Sequence, residues 1–378
     1  MARRAALSWA RRRDPTPQRL WPLLRSRGLE ALLEAPEDAL AEWLGSRERA
    51  RALRRSVDDA DAEHWAAEIE RRGVRVITAF DPEYPRLLLE IADPPFALHA
   101  SGSLDRLRLP AVSVVGSREA TRYGRDVARR LGGELSAAGV AVVSGFARGV
   151  DAAAHEAALE GPGGTIAVLG CGIDVDYPRE HRRLRERVAA AGGLFLSEHP
   201  PGEEPRPQNF PIRNRIIAGL ASGVVVVEAS RRSGSLITAR LAADFGRDVF
   251  AVPGSIFSET SSGAHALLRD GAIVCTGVED VLTELFPAIG GLGGIDRGAV
   301  AHGDVAALRS ADVAALRELS AEARRLLETI ARDEPVSADE LSRSLDLPAA
   351  AVLAGLFELE GAGLAVAVEG GRYGIRRP

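Results

Sequence analysis

Ala111-Val112-Ser113-Val114-Val115-Gly116-Ser117-Arg118 is the stretch on which the reading of this chain turns. Its first five residues are small or branched and carry no alternating charge, the pattern of a strand covered on both faces. The glycine, serine and arginine that follow mark the strand's end and a turn. The same grammar recurs downstream. Val140–Ser144 runs into Gly145-Phe146-Ala147-Arg148-Gly149, Thr165–Leu169 into Gly170-Cys171-Gly172, and Leu194–Ser197 into Glu198. Val224–Glu228 leads to Arg231-Arg232-Ser233-Gly234-Ser235, and Asp248–Val252 closes the series. The intervening segments are long enough for crossover helices, so repeated β-α units and an open parallel sheet are expected from Ala111 to about Phe286.

Outside that core the composition changes. Residues 17–72 place Leu20, Leu23, Leu24, Leu29, Leu32, Leu33, Leu40, Trp43 and Leu44 at spacings suited to short amphipathic helices. Val74–Ala79 reads as a strand, and Asp81–Pro85 and Asp93–Pro95 as turns. At the other end, Ser337-Ala338-Asp339-Glu340 is a capping box and Pro348 suits a helix's first turn. Leu364–Val368 and Arg372–Ile375 around Gly370-Gly371 make a hairpin. Three helices and a hairpin spell a winged helix. The expected organisation is therefore a helical part at 1–72 with its first residues disordered, the α/β core at 73–286, a glycine-rich flexible linker at 287–311, and a winged helix at 312–378.

Composition excludes several chemistries. All 48 basic residues are arginine, so a P-loop lysine, a lysine Schiff base and a pyridoxal-phosphate anchor are unavailable. No apolar run approaches the roughly 20 residues of a membrane span, and residues 1–13 lack a secretory signal's apolar stretch, so no membrane anchor and a cytoplasmic location are expected. Cys171 and Cys275, the only two cysteines, fit a reducing compartment and cannot build a four-cysteine zinc site. The formal charge of −5 leaves nucleic acid open as a partner, because binding depends on where positive charge is focused.

In an open parallel sheet, ligands bind outside the carboxyl ends of the strands. Those places in this sequence pair glycine or serine with arginine: Gly116-Ser117-Arg118, the Arg148 loop, Tyr177-Pro178-Arg179, the Asn209–Arg215 segment and Arg231-Arg232. Backbone amides, helix N-termini and guanidinium forks all suit phosphates. Gly170-Cys171-Gly172 lacks the third glycine of a dinucleotide fingerprint and opens no helix at once, which argues against NAD. Tyr123, Phe146, Tyr177 and Phe210 stand among the arginines, and bases of a single strand stack on such rings. Each ring could equally pack beneath its loop; Phe210 is the best candidate to be exposed.

Other groups have ordinary readings. Asp151 and His155 share a helix face, but a carboxylate at a helix start and a hydrogen-bonded histidine explain them without catalysis. Asp174 and Asp176 read as turn residues rather than a magnesium site, and Cys171 as a small buried residue. No catalytic group, metal site or cofactor is expected. Arg213 and Arg215, two apart, cannot share a helix face, so one of them is expected to hold structure through a carboxylate such as Glu198 or Glu228. The last helix of the winged unit carries Glu358 and Glu360 and no arginine, which fits a protein-contact role better than groove reading.

Taken together, these motifs resemble the DNA-processing protein A family (DprA, also called Smf). The resemblance is carried by Gly116-Ser117-Arg118, Ser144–Asp151 with Ala154-His155, Tyr177-Pro178, Ser197-Glu198, Phe210–Leu220, Ser233–Ala239 and Val252-Pro253-Gly254. It implies an extended Rossmann-like core between a SAM or helix-hairpin-helix-like N-terminal part and a winged helix. It also implies a non-enzymatic protein that binds and shields single-stranded DNA, loads the RecA recombinase in natural transformation, and forms a homodimer through its core. Site residues implied by position are Gly116, Ser117, Arg118, Arg179, Phe210, Arg213 and Arg215, with Arg148 and Arg206 as further basic contacts. Where many members have lysine, this chain has Arg179. The rival is a Rossmann-like nucleotide phosphoribohydrolase, in which Ser233–Thr238 would stand where such enzymes carry a PGGxGT-like turn; no such turn followed by glutamate occurs here.

Overall fold

The computed structural model describes residues 2–12, 17–57 and 61–287, and beyond them 320, 323, 326, 336–345, 347–361, 365–368 and 372–375. The chain divides into two compact units, Met1–Gly291 and Leu292–Pro378. The linker expected at 287–311 lies, from 288 onward, outside the described residues.

In the first unit, helices α1 (Ala2–Arg12), α2 (Pro17–Arg27), α3 (Leu29–Glu34), α4 (Glu37–Leu44), α5 (Arg47–Val57) and α6 (Asp61–Arg71) precede the sheet. The first residues, expected to be disordered, form α1, because Ala5, Ala6, Leu7 and Trp9 give it an apolar face that is buried. Trp9 donates its indole N–H to Ser56 Oγ at 2.7 Å and packs on Phe96 with ring centroids 4.6 Å apart. Trp21 stacks on the same ring and donates to the Pro94 carbonyl. These contacts weld the helices to the edge of the sheet.

The strands are β1 (Arg75–Thr78), β2 (Ala97–Gly102), β3 (Ala111–Val115), β4 (Ala141–Ser144), β5 (Thr165–Leu169), β6 (Leu194–Ser197), β7 (Gly223–Val226), β8 (Asp248–Ala251) and β9 (Ile273–Val274), with the short helix α7 (Arg86–Leu89) between β1 and β2. They pair in the order β1-β2-β6-β5-β4-β3-β7-β8-β9. From β6 to β9 every pairing is parallel; β1 with β2 and β2 with β6 are antiparallel. Strand β2 was not foreseen, and it extends the parallel core with an antiparallel edge.

Crossovers α8 (Arg122–Ala137), α9 (Val150–Ala158), α10 (Arg182–Ala190), α11 (Asn209–Leu220), α12 (Ser235–Asp244), α13 (Ser262–Arg269) and α14 (Val278–Leu285) complete the unit. The near-continuous apolar runs have a direct cause. Val112 and Val114 point into one buried cluster with α8, α9 and α14, while Ala111 and Val115 point into another with α11 and α12. Burying an apolar side chain of this size stabilises by roughly 1.5–3 kcal/mol, so a charge on either face of these strands would be costly.

The second unit has a three-stranded sheet in the order β10 (Val336–Ser337), β12 (Arg372–Ile375), β11 (Ala365–Val368), with helices α15 (Ala338–Leu345) and α16 (Ala349–Gly361). The capping box is formed: Ser337 N–H donates to Glu340 Oε2 at 2.8 Å and Glu340 N–H to Ser337 Oγ at 3.3 Å. Leu341, Val352, Leu356 and Leu359 bury together with Ala323 and Leu326. Glu358 accepts from the Ser320 N–H and hydroxyl, so one of this helix's two carboxylates is committed to holding the unit together.

Candidate nucleic-acid interface

Each parallel strand delivers its trailing loop to the same edge of the sheet. After β3, Gly116 packs so tightly on Val150 that a Cβ would sit 2.6 Å from its methyl. Ser117 serves the turn, its hydroxyl accepting from Glu119 N–H and its carbonyl from Val150 N–H. Arg118 is thereby pushed outward. It is exposed and makes no ion pair or side-chain hydrogen bond among the described residues.

After β4, Phe146 adopts a left-handed backbone at φ 57° and is itself buried, with its ring edge-on to Phe195 and His181. Of the two readings left open for it, stacking surface or packing beneath its loop, the second holds: the ring is a wedge under the loop. Asp151, at the start of α9, accepts the Gly145 and Ala147 N–H groups at 3.1 and 3.3 Å. His155 is fully buried with Nδ1 2.6 Å from Thr165 Oγ1, and burial pulls its pKa down to about 3. Both residues are buried.

The loop after β5 runs through Tyr177-Pro178 to Arg179, which is exposed and, among the described residues, without an ion pair or side-chain hydrogen bond. One turn further on, Arg183 is also exposed and, among the described residues, without an ion pair or side-chain hydrogen bond. The sequence reading missed it; the spacing of four from Arg179 in a helical run was the available signal. Cys171 is buried and its thiol pushed up to about 11, chiefly by that burial, which leaves it unreactive.

From α11 come Phe210 and the two arginines. Phe210 is half-buried, tilted against Tyr177 with centroids 5.3 Å apart. The Arg118 guanidinium lies 5.5 Å from the Phe210 ring centre and that of Arg213 6.0 Å. Gly170 permits this: a Cβ there would meet the Phe210 ring at 2.9 Å. Arg213 is 4 % exposed; it donates to the Gly145 carbonyl at 2.6 Å and to the Val168 carbonyl. Burial drags its pKa down to about 10 in spite of Asp151 nearby, and burial likewise raises that of Asp151. It is the charged floor of the site rather than a side chain reaching into solvent.

Arg215 is the arginine of the pair that holds structure through Glu198, as expected of one of them, and not the DNA contact it was also expected to be. It is equally buried, bonded to both oxygens of Glu198 and ion-paired with Asp93 at 3.2 Å. A guanidinium sealed beneath the surface between two carboxylates cannot hold a DNA phosphate, so its assignment as a DNA contact is corrected to a structural one. Arg148 and Arg206 remain at the surface, the first paired with Glu180 at 3.1 Å and the second near Glu203 at 3.9 Å. Exposed pairs of this kind are weak and exchangeable.

Arg118, Arg148, Tyr177, Phe210 and Arg213 thus line one recess at the carboxyl ends of β3, β4 and β5. The recess is open to solvent and small, about 30 Å³, where clefts that engulf a small ligand run to roughly 300–1,000 Å³. At the neighbouring crevice, where β3 and β7 part, the usual ligand position is taken. The buried Glu228 carboxylate accepts from Thr121 N–H at 2.8 Å and Thr121 Oγ1 at 2.6 Å, at the very start of α8. Both observations weigh against a nucleotide-hydrolysing site. Among the described residues, no His, Cys, Asp and Glu group could hold a metal ion, and no helix is long and apolar enough to cross a membrane.

Comparison with known proteins places the chain in a family. A family model for DNA recombination-mediator protein A matches residues 75–286, and one for the DprA winged helix domain matches 310–371. The chain is 46 % identical over 232 residues to DNA processing protein DprA of Streptococcus pneumoniae, covering 60 % of this chain and 78 % of that one. It is 38 % identical over 309 residues to Protein Smf of Escherichia coli, covering 82 % and 79 %. The crystal structure of the S. pneumoniae protein superposes with a TM-score of 0.63 at 40 % identity, over 74 % of this chain and 96 % of that one. DNA processing protein A of Helicobacter pylori, studied for its single-stranded DNA binding mode, gives 0.51 at 30 % identity, over 57 % and 96 %. With a matched core, a matched winged helix and relatives aligned over most of their length, the chain belongs to the DNA recombination-mediator protein A (DprA/Smf) family.

Proposed function

We propose that this chain is a single-stranded DNA-binding protein whose strand lies across the recess at the ends of β3, β4 and β5. One observation carries the reading. Arg118, without a charged partner among the described residues, stands against an aromatic pair, Phe210 and Tyr177, over a buried positive floor at Arg213, and the exposed Arg179 follows Tyr177 by two residues. Phosphates of an extended strand take the free guanidiniums in bidentate fashion, and unstacked bases take the rings. Arg148 and Arg206 add charge at the rim, and Gly116 and Ser117 set the turn that projects Arg118. The shallow recess suits a polymer passing over it and offers a single nucleotide little to hold.

The same proposal extends to partners. Membership of a recombination-mediator family and the single-stranded DNA binding of the H. pylori relative support a role in which the coated strand is handed to the RecA recombinase, in the cytoplasm, by a homodimer and without catalysis. The test is a salt titration of binding to single-stranded and duplex DNA by the wild type and Arg118→Ala. The wild type is expected to prefer the single strand, with log Kd rising against log salt by about 0.7 per phosphate neutralised. The variant is expected to bind more weakly with a shallower slope. Equal affinity of the two proteins would overturn the assignment.

A further inference from the structure

The recess does not exhaust the unpaired positive charge on this edge. Strand β7 lies beside β3 with Val226 opposite Val115, so their trailing loops leave the sheet about 5 Å apart. In the β7 loop, Ser233 N–H donates to the Ser230 carbonyl at 3.0 Å, a turn that puts Arg231 and Arg232 at its tip. Both are exposed, and neither makes an ion pair or side-chain hydrogen bond among the described residues. Arg122, at the start of α8, has Asp126 at 3.6 Å. The loop's own carboxylate, Glu228, is buried and already bonded to Thr121.

Helix α11 joins this turn to the recess. Phe210 and Asn214 are one helical turn apart on one face, about 5–6 Å between Cβ atoms. Asn214 Nδ2 then donates to the Gly234 carbonyl at 3.3 Å, two residues beyond Arg232. Ile212 on α11 and Ile237 on α12 are 43 % and 39 % exposed, giving both helices apolar surface near their starts. We infer that the Arg231–Arg232 turn is a second phosphate-holding station, over which a single strand leaving the Phe210 recess continues along the sheet edge. The inference rests on the single-strand reading above. A continuous polyanion can satisfy both groups of guanidiniums at once; a mononucleotide or a very short oligomer reaches one.

The test uses the full chain in fluorescence anisotropy with oligothymidylates of about 6 and about 20 nucleotides, comparing wild type, Arg231→Ala/Arg232→Ala and Arg118→Ala. Unchanged circular dichroism and melting temperature verify that the double variant is folded, as expected for residues at an exposed turn tip. The double variant should bind the short oligomer like the wild type and the long one about 10-fold more weakly, with a salt slope shallower by about 1.4. Equal weakening on both lengths, or none on the long one, overturns the second station. So does a polyglutamate peptide that binds the wild type in place of the long oligomer and fails to bind the double variant, which would assign the turn to an acidic protein. Arg118→Ala separates the two ideas: if it is silent on both lengths, the recess reading fails whatever the double variant does. If it weakens both lengths while the double variant is silent, the recess stands and the second station falls.

Discussion

Arg215 and Glu198 form a two-pronged ion pair, Nη1 to Oε2 at 2.9 Å and Nη2 to Oε1 at 2.7 Å, with Arg215 on the same helix as Phe210 of the proposed DNA site. Burial works against the Arg215 charge, yet Glu198 and Asp93 outweigh it and hold the pKa above the usual arginine value. Removing one partner of such a pair strands the other, at about 3–5 kcal/mol. Arg215→Ala is therefore expected to lower unfolding free energy by that order in urea denaturation. Arg215→Lys should fail to rescue it fully, because an ammonium cannot reproduce the fork.

Phe210 should contribute through its ring and not through charge. Phe210→Ala is expected to weaken single-strand binding by roughly 1–3 kcal/mol per stacked base, while leaving the salt slope as in the wild type. A changed slope would mean that the substitution disturbs Arg118 or Arg213 instead.

Arg179 and Arg206 are both exposed, but of the two only Arg206 has a carboxylate at ion-pair distance among the described residues. Arg179→Ala is expected to reduce affinity and flatten the salt dependence by about 0.7. Arg206→Ala should change either quantity by less than half as much. The comparison is made by filter binding at several salt concentrations, and an Arg206 effect equal to that of Arg179 would contradict it.

Acid should destabilise the fold before carboxylates titrate. Burial lowers the pKa of His155 to about 3 and that of His99 to about 4, whereas unfolded imidazoles protonate near 6.5. Below pH 6.5 the unfolded chain takes up protons that the folded one refuses, so stability falls as pH drops from about 6.5 towards 3. Asp151, whose pKa burial raises, works in the opposite direction. His155→Gln should flatten the decline of the melting temperature between pH 6.5 and 4, and an unaltered decline would show that His155 does not drive it.

Much of the core was legible from residue order. Ala111–Val115, Thr165–Leu169 and Leu194–Ser197 match the strands residue for residue, because a strand covered on both faces tolerates no charge and so announces its ends. Strand β2 was not legible: it follows two prolines, includes His99, and joins the sheet by antiparallel pairing with β6, almost a hundred residues later. The site was legible in its loops and not in its depths. The sequence marks Arg118 and Phe210 as neighbours of one edge, and names Glu198 as a carboxylate that could hold one arginine of the pair. It could not distribute burial between Arg213 and Arg215, since their partners come from Val168, Gly145 and Asp93, brought near only by the finished fold.

Glu228 gives the molecule a resident anion. By bonding to Thr121, the residue that caps α8, it supplies a carboxylate where a nucleotide-binding sheet would place a phosphate. On the single-strand reading proposed above, the crevice beside β3 then has no free Thr121 amide to offer a lone nucleotide's phosphate, and an extended strand draws on the exposed guanidiniums instead.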